Sequence, residues 1–221
     1  QVMAGAGSNS TAETIDLTRY AHRVGADSVL LVAPYYNKPS PEGQFMHFKS
    51  AAEAADIPVI IYNIPGRSVI DIHDETILRL AEACPSIIGV KDATGDLARV
   101  ARLHHRAGDR LALLSGEDMT AIGFNLMGGQ GCISVTANAA PALCVEMQEA
   151  TLRGDYAAAK LIHESLIELH DVMFAETSPA PVKYAMYRMG KCKDIIRLPL
   201  VPASDLTREH IDTELFELGI I

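Results

Sequence analysis

The chain has 221 residues, of which 48% are hydrophobic and 21% are charged, and its formal net charge is −9 at pH 7. This length is enough to bury the core of one large domain, whereas the acidic balance argues against nucleic acids and anionic membranes as partners. No apolar run reaches the roughly 18 residues that a membrane-spanning helix needs. We therefore expect a folded protein with no nucleic-acid or membrane partner.

The cysteines and histidines show no pattern of a disulfide scaffold or a metal site. The four cysteines are widely spaced and form no Cys-x-x-Cys pair, as expected for reduced thiols in the cytoplasm. The eight histidines form no His-x-His or His-Glu-x-x-His pair, and the acidic residues show no metal-ligand spacing at the predicted strand ends. We therefore expect no metal and a cytoplasmic location.

Six short apolar runs, rich in Val, Ile and Leu, recur along the first part of the chain. They lack strict alternation, which is typical of parallel strands covered on both faces. In chain order they are residues 2–5, 28–34, 58–66, 87–92, 111–118 and 131–138. The sequence thus opens directly on a strand-like run, and because chain termini usually lie outside the core, we expect further residues before Gln1.

Amphipathic stretches separate these runs, and each has a Ser, Thr or Asp near its start that can cap a helix. They cover residues 11–24, 40–55, 74–84, 97–107 and 119–127. Alternation of strands and helices predicts an α/β fold with right-handed βα units and a parallel sheet. Six such units fit either a doubly wound sheet or a (β/α)8 TIM barrel that lacks two units.

The pattern changes near residue 141, beyond which no convincing strand occurs. Helical patterns cover residues 141–153, 155–175, 179–190 and 205–218. We therefore divide the chain into a part with the barrel strands and helices, residues 1–140, and a part with the last barrel helix and a C-terminal helical extension, residues 141–221.

Lys91 is the most informative residue, because it lies at the end of the otherwise apolar run IIGVKD. In doubly wound sheets and in barrels alike, ligands bind at the carboxyl ends of the strands. A lysine that is desolvated there has a lowered pKa, and a neutral amine can add to a ketone to form a Schiff base. Alternatively, Lys91 extends into solvent from the strand end and pairs with Asp92.

Three more candidates follow neighbouring strand runs. Tyr62 ends the preceding run, where a phenol can transfer protons to and from an iminium; alternatively it only caps the core. Arg67 follows a Pro-Gly turn, and its guanidinium suits a substrate carboxylate, although a solvated surface arginine is also compatible with the sequence. Of the adjacent Tyr35 and Tyr36, at most one faces the same site if the backbone is extended.

The whole set of motifs resembles the dihydrodipicolinate synthase/N-acetylneuraminate lyase family of Schiff-base enzymes. The matching motifs are AGAGSNST at 4–11, APYYNKPSPEG at 33–43, YNIPGRS at 62–68, GVKDATGD at 89–96, LSGED at 114–118, GCISVTAN at 131–138, and SPAPVKYAMYRMG at 178–190 followed by RLPLVP at 197–202. Their order spans essentially the whole chain. The resemblance implies a (β/α)8 barrel with a C-terminal helical bundle, and usually a homotetramer.

The resemblance also implies an activity and the residues that perform it. Lys91 would form a Schiff base with pyruvate, with no other cofactor, and Tyr62 would donate and accept protons. Tyr36 would cross a subunit interface to join a relay of hydroxyl groups. The Ile133 carbonyl and the region of Gly116 would line the pyruvate site.

The choice of the second substrate depends on Arg67, which would bind the carboxylate of the aldehyde. With an arginine at this position, the sequence resembles the synthases that use L-aspartate 4-semialdehyde in diaminopimelate and lysine biosynthesis, rather than the sialic acid lyases. Asn9, Glu13 and Tyr35 match positions that bind feedback lysine in regulated members.

The sequence departs from the family pattern because part of that pattern is absent. The first two βα units, with a Thr-Thr pair that binds pyruvate, are not in the sequence, so its six runs correspond to the third to eighth units. We expect an N-terminal segment of about 70 residues before Gln1. Two other interpretations remain open, namely a family member acting on a sugar-derived 2-keto acid and a truncated, noncatalytic barrel fragment.

Overall fold

The computed structural model describes residues 1–221 and contains one parallel sheet of five strands. The strands are β1 (Met3–Gly5), β2 (Ser28–Val32), β3 (Val59–Asn63), β4 (Ile87–Asp92) and β5 (Ala112–Ser115). They are hydrogen-bonded in sequence order, each parallel to the next. A doubly wound sheet reverses its strand order at a switch point. The sequential order instead matches the arc of a barrel and decides between the two sheet types left open by the sequence.

Helices connect the strands of the sheet, although the expected side-chain cap is absent from the helix that begins at Asp74. They are α1 (Thr11–Arg23), α2 (Pro41–Ala52), α3 (Pro65–Ser68), α4 (Asp74–Ala83), α5 (Leu97–Ala107) and α6 (Ala121–Leu126). The side chains of Ser10, Ser40 and Asp96 accept hydrogen bonds from backbone N–H groups in the first turns of α1, α2 and α5. These bonds satisfy amides that have no partner within the helix, and so define where each helix begins.

The main core lies on the helix-facing side of the sheet. Val29, Leu31, Val59, Ile61 and Val90 alternate along β2, β3 and β4, are fully buried, and belong to one cluster with residues of the helices. Because successive side chains of a strand point to opposite faces, the intervening residues of these strands face the barrel interior. Among them are Tyr62 and Lys91.

One predicted strand is wrong, because residues 131–138 form no sixth strand. They contribute a single parallel bridge between Ser115 and Cys132, followed by a 3₁₀ helix at Thr136–Asn138. The carboxylate of Asp118 accepts hydrogen bonds from the N–H groups of Val135 and Thr136, at 2.9 and 3.3 Å. These N–H groups therefore cannot join a ladder with a neighbouring strand.

The chain divides into two compact units, each with a core of its own. The first comprises Gln1–Glu117 and Gly123–Ile133 and contains the sheet; the second comprises Asp118–Ile122 and Ser134–Ile221. The helices of the second unit are α7 (Pro141–Leu152), α8 (Tyr156–Val172), α9 (Ala180–Arg188) and α10 (Asp205–Glu217), packed around residues such as Leu166, Leu169 and Ile211. None of the helices combines the length and the apolar character that crossing a membrane requires.

Candidate active site

Lys91 and Tyr62 are direct neighbours at the carboxyl ends of β4 and β3. They are partners in the strand register, and the Nζ atom of Lys91 lies 4.1 Å from the centroid of the Tyr62 ring. An ammonium in this position is attracted by the face of the ring. The side chain of Asp92 points to the opposite face of the strand, where its carboxylate accepts hydrogen bonds from Thr94 and approaches Arg99. This geometry favours a role for Lys91 on the interior side over a pair with Asp92.

Gly116 leaves the space that the Lys91 side chain occupies. A Cβ atom at residue 116 would lie 2.9 Å from Cε of Lys91 and 2.8 Å from Cβ of Ala93. The N–H of Gly116 donates a hydrogen bond of 2.6 Å to the carbonyl oxygen of Asp92, which ties the end of β5 to the end of β4. The close approach of these backbones therefore depends on the absence of a side chain at residue 116.

The Tyr62 phenol is half-buried, and two opposing effects act on it. Burial raises the pKa of Tyr62 above its ordinary value, and the positive charge of Arg67 partly offsets this increase. The phenol therefore keeps its proton at neutral pH and can donate it. The nearby guanidinium at the same time stabilises the phenolate that forms when the proton leaves.

A cavity of about 300 Å³ lies beside Tyr62. It is lined by Val32, Tyr35, Tyr62, Ile64, Arg67 and Ser68. Arg67 lies on the short helix α3, which starts at Pro65 and is followed by Val69 at a left-handed φ of 67°. A β-branched residue rarely adopts this φ, so the backbone is strained directly after the helix that carries Arg67.

The two adjacent tyrosines after β2 have different environments. Tyr35 lines the cavity and is 41% exposed, whereas Tyr36 is 86% exposed and has a left-handed φ of 72°. Only Tyr35 contributes to the cavity. The Tyr36 side chain extends outward from the protein.

The three residues singled out as a lysine site lie around the start of α1. The side-chain amide of Asn9 donates a hydrogen bond of 3.1 Å to the carbonyl oxygen of Tyr35. The carboxylate of Glu13 accepts a hydrogen bond of 2.6 Å from Oγ of Ser8. The structure thus joins Asn9 to the loop of Tyr35, while Glu13 stabilises the turn that leads into α1.

Ile133 lies beside the end of β5, next to Gly116. Its N–H donates a hydrogen bond of 2.8 Å to the carbonyl of Ser115, and the N–H of Ser115 donates one of 2.8 Å to the carbonyl of Gly131. Ile133 is thereby fixed to the same edge of the sheet as Lys91.

Sequence reasoning missed a buried polar cluster on the other face of the same strand ends. It contains Asn63, Asp92 and Arg99, which are all buried. The signal was present in α5, where Arg99 precedes Val100 and Leu103 on the apolar side of the helix. An arginine on a buried helix face requires ionic partners.

No group of three or more His, Cys, Asp or Glu side chains is arranged to hold a metal ion, and the four cysteines are free thiols.

Comparison with known proteins identifies the family. Residues 1–217 match the model of the dihydrodipicolinate synthetase family. The chain is 54% identical over 220 residues to 4-hydroxy-tetrahydrodipicolinate synthase of Parvibaculum lavamentivorans and 53% identical to that of Rhizobium meliloti, in each case covering all of this chain and 75% of the relative.

Solved structures agree with the sequence comparison. The crystal structure of the chloride-inhibited dihydrodipicolinate synthase from Acinetobacter baumannii, complexed with pyruvate, has a TM-score of 0.96 at 45% identity and covers 99% of this chain and 75% of that one. The parallel sheet is thus part of a (β/α)8 barrel, as the sequence predicts, and is followed by C-terminal helices. The chain belongs to the dihydrodipicolinate synthetase family.

Proposed function

We propose that this chain is a 4-hydroxy-tetrahydrodipicolinate synthase, which condenses pyruvate with L-aspartate 4-semialdehyde through a Schiff base on Lys91. The observation that carries the proposal is the placement of Lys91 Nζ 4.1 Å from the Tyr62 ring centroid, at the carboxyl ends of adjacent barrel strands. Two curated relatives with this name are 53% and 54% identical to the chain over 220 residues. A relative crystallised with pyruvate supports the choice of the first substrate.

The first half of the reaction makes a carbon nucleophile from pyruvate. The neutral amine of Lys91 adds to the keto carbon, and loss of water leaves a C=N bond in place of the C=O bond. The resulting iminium withdraws electrons, so that the methyl carbon loses a proton and becomes the nucleophilic end of an enamine. The covalent imine itself acts as the electron sink, so this step needs no separate cofactor. Gly116 and the Ile133 carbonyl line the pyruvate side of the site.

The second half joins the two substrates. The enamine carbon attacks the aldehyde carbon, forming a C–C bond while the aldehyde oxygen takes a proton from the Tyr62 phenol. The amino group of the semialdehyde then adds to the imine carbon and displaces Lys91, which closes the ring and frees the enzyme. Arg67, at the cavity wall, holds the carboxylate of the semialdehyde with two parallel hydrogen bonds.

Trapping experiments test this assignment. Borohydride reduction in the presence of pyruvate should add one pyruvyl mass to Lys91, and the Lys91→Arg variant should remain unmodified. An unmodified Lys91 in the wild-type protein would overturn the proposal. Arg67→Ala should still be trapped with pyruvate but should lose the use of the semialdehyde. A variant that keeps normal use of the semialdehyde would show that another residue selects the second substrate.

Regulation and assembly are further parts of the proposal. Asn9, Glu13 and Tyr35 would form a site for feedback lysine, and inhibition by lysine that is lost in Glu13→Ala would support it. Tyr36, which is 86% exposed in the single chain, would be covered by a second subunit of a homotetramer, where its hydroxyl would join the proton relay. Sedimentation of the wild-type protein tests whether it is a homotetramer. The activity of Tyr36→Phe, compared with that of the wild type, tests whether the Tyr36 hydroxyl takes part in the proton relay. The enzyme would act in the cytoplasm.

A further inference from the structure

Arg99 is almost completely buried, with only 6% of its side chain exposed, and is surrounded by carboxylates. Its Nε lies 3.0 Å from the carboxylate of Asp74, and its Nη1 lies 2.6 Å from that of Asp71. Nη2 donates a hydrogen bond to the carbonyl oxygen of Ile72. A buried guanidinium is stable only when its donors are used in this way. Arg99 therefore fixes α5 against the segment of residues 71–74.

The same side chain also reaches the end of β4. Nε of Arg99 lies 3.6 Å from Oδ2 of Asp92, and the Asp92 side chain is 7% exposed. Burial by itself lowers the pKa of the Arg99 guanidinium, but the hydrogen bond that it donates to Asp71 and the charges of Asp71, Asp92 and Asp74 raise it above its ordinary value. The positive charge on which this contact depends is thus retained.

Asn63 connects these groups to the end of β3. Its amide nitrogen donates a hydrogen bond of 2.7 Å to the Asp71 carboxylate and lies 3.5 Å from that of Asp92. Its amide oxygen accepts a hydrogen bond of 3.1 Å from the N–H of Ile72. Asn63 and Asp92 are partners in the register of β3 and β4. We call Asn63, Asp92 and Arg99 the strand-end cluster.

The strand-end cluster lies directly behind Tyr62 and Lys91. Each of these residues immediately precedes a cluster member, and Tyr62 and Lys91 are themselves register partners. Because successive side chains of a strand point to opposite faces, the cluster holds the helix-facing side of the two strand ends while the amine and the phenol occupy the interior side. A change in the relative height or tilt of these ends moves the two functional groups relative to each other.

We propose that Arg99 is a positioning residue for the reaction: through Asp92 and Asn63 it sets the geometry of Lys91 relative to Tyr62. This inference rests on the proposed Schiff-base function. A misplacement of about 1 Å can cost about 100-fold in rate. Loosening the cluster therefore lowers the rate of imine formation and kcat while leaving the substrate-binding groups in place.

The test compares two conservative variants on the same helix. Arg99→Lys keeps the charge but loses the fork that contacts Asp74, Asp71 and Asp92 simultaneously. Arg102→Lys is the matched control, because Arg102 contacts Asp74 and Asp96, is 53% exposed and touches neither strand end. In the intact protein, we expect Arg99→Lys to lower kcat and the rate of borohydride-trapped imine formation at saturating pyruvate by about 10-fold or more. KM for pyruvate should stay within about 2-fold, and Arg102→Lys should resemble the wild type.

Each outcome decides the proposal. If Arg99→Lys loses thermal stability but keeps the kcat of Arg102→Lys, Arg99 has only a structural role and the inference is overturned. If Arg99→Lys does not fold, Asp92→Asn replaces it, since this change preserves shape and leaves Arg99 paired with Asp71 and Asp74. The quantity to compare is the maximum value of kcat in the pH profile of Asp92→Asn. A maximum equal to that of the wild type likewise overturns the inference, whereas a maximum lowered about 10-fold supports it. If the wild-type protein itself forms no pyruvyl adduct on Lys91, the proposed function fails first.

Discussion

Adding one methyl group at residue 116 tests the steric basis of the site. In Gly116→Ala, the new Cβ would lie 2.9 Å from Cε of Lys91 and must move about 0.6 Å away to reach the shortest ordinary carbon–carbon contact of about 3.5 Å. It would also lie 2.8 Å from Cβ of Ala93. The Ala93 Cβ is attached directly to the backbone and cannot rotate away, so this contact requires a shift of the backbone, whereas the contact with Cε is relieved by a movement of the lysine side chain.

The expected cost of Gly116→Ala follows from these distances. A displacement of this size corresponds to a loss of about 10- to 100-fold in rate, and overpacking costs about 1–3 kcal/mol of stability. The rate of imine formation with pyruvate, measured by quenching with borohydride and mass spectrometry of Lys91, reports the first effect, and urea unfolding reports the second.

The matched control is Gly66→Ala, since a Cβ at residue 66 meets no atom within 4 Å. This variant should form the imine at close to the wild-type rate. If Gly116→Ala also reacts at the wild-type rate, the lysine is not confined as the structure indicates, and the steric reasoning is refuted.

Three further predictions concern stability. Arg99→Met leaves the buried Asp92 carboxylate without its cation, whereas Asp71 is 47% exposed and Asp74 keeps Arg102, so the change should cost about 3 kcal/mol in urea unfolding; a loss below about 1 kcal/mol would contradict the ionic role of Arg99. His170 is buried with its Nδ1 2.7 Å from Oγ1 of Thr136, and its pKa is lowered mainly by desolvation. As the pH falls below about 6.5, the unfolded state therefore binds more protons than the folded state. The free energy of unfolding of the wild type should fall between pH 7.5 and 5.5, and that of His170→Asn should fall by less. An equal loss in both proteins would assign the effect to other groups. Phe48 is fully buried, whereas Met46 is 51% exposed. In the same assay Phe48→Ala should cost about 3–5 kcal/mol and Met46→Ala less than about 0.5 kcal/mol. Similar losses in the two variants would contradict the assigned core.

The sequence by itself determined most of the local elements and the residues at the strand ends. Ser10 and Ser40 predict the starts of α1 and α2, because a capping side chain bonds to amides only two or three residues away. The apolar runs that end in Tyr62 and Lys91 likewise predict β3 and β4. Since carboxyl ends of parallel strands meet at one edge, the sequence alone assigns these two residues to one site.

Only the tertiary structure decided which distant groups become partners. Arg99 finds Asp71 and Asp74, which lie 28 and 25 residues earlier in the chain, and no local pattern encodes that choice. The apolar run 131–138 has the composition of a strand, yet two of its N–H groups donate hydrogen bonds to the carboxylate of Asp118, which lies 17 and 18 residues earlier in the chain. Hydrophobic periodicity and capping act over a few residues, whereas buried charges and backbone amides take whichever partners the folded chain brings within hydrogen-bonding distance.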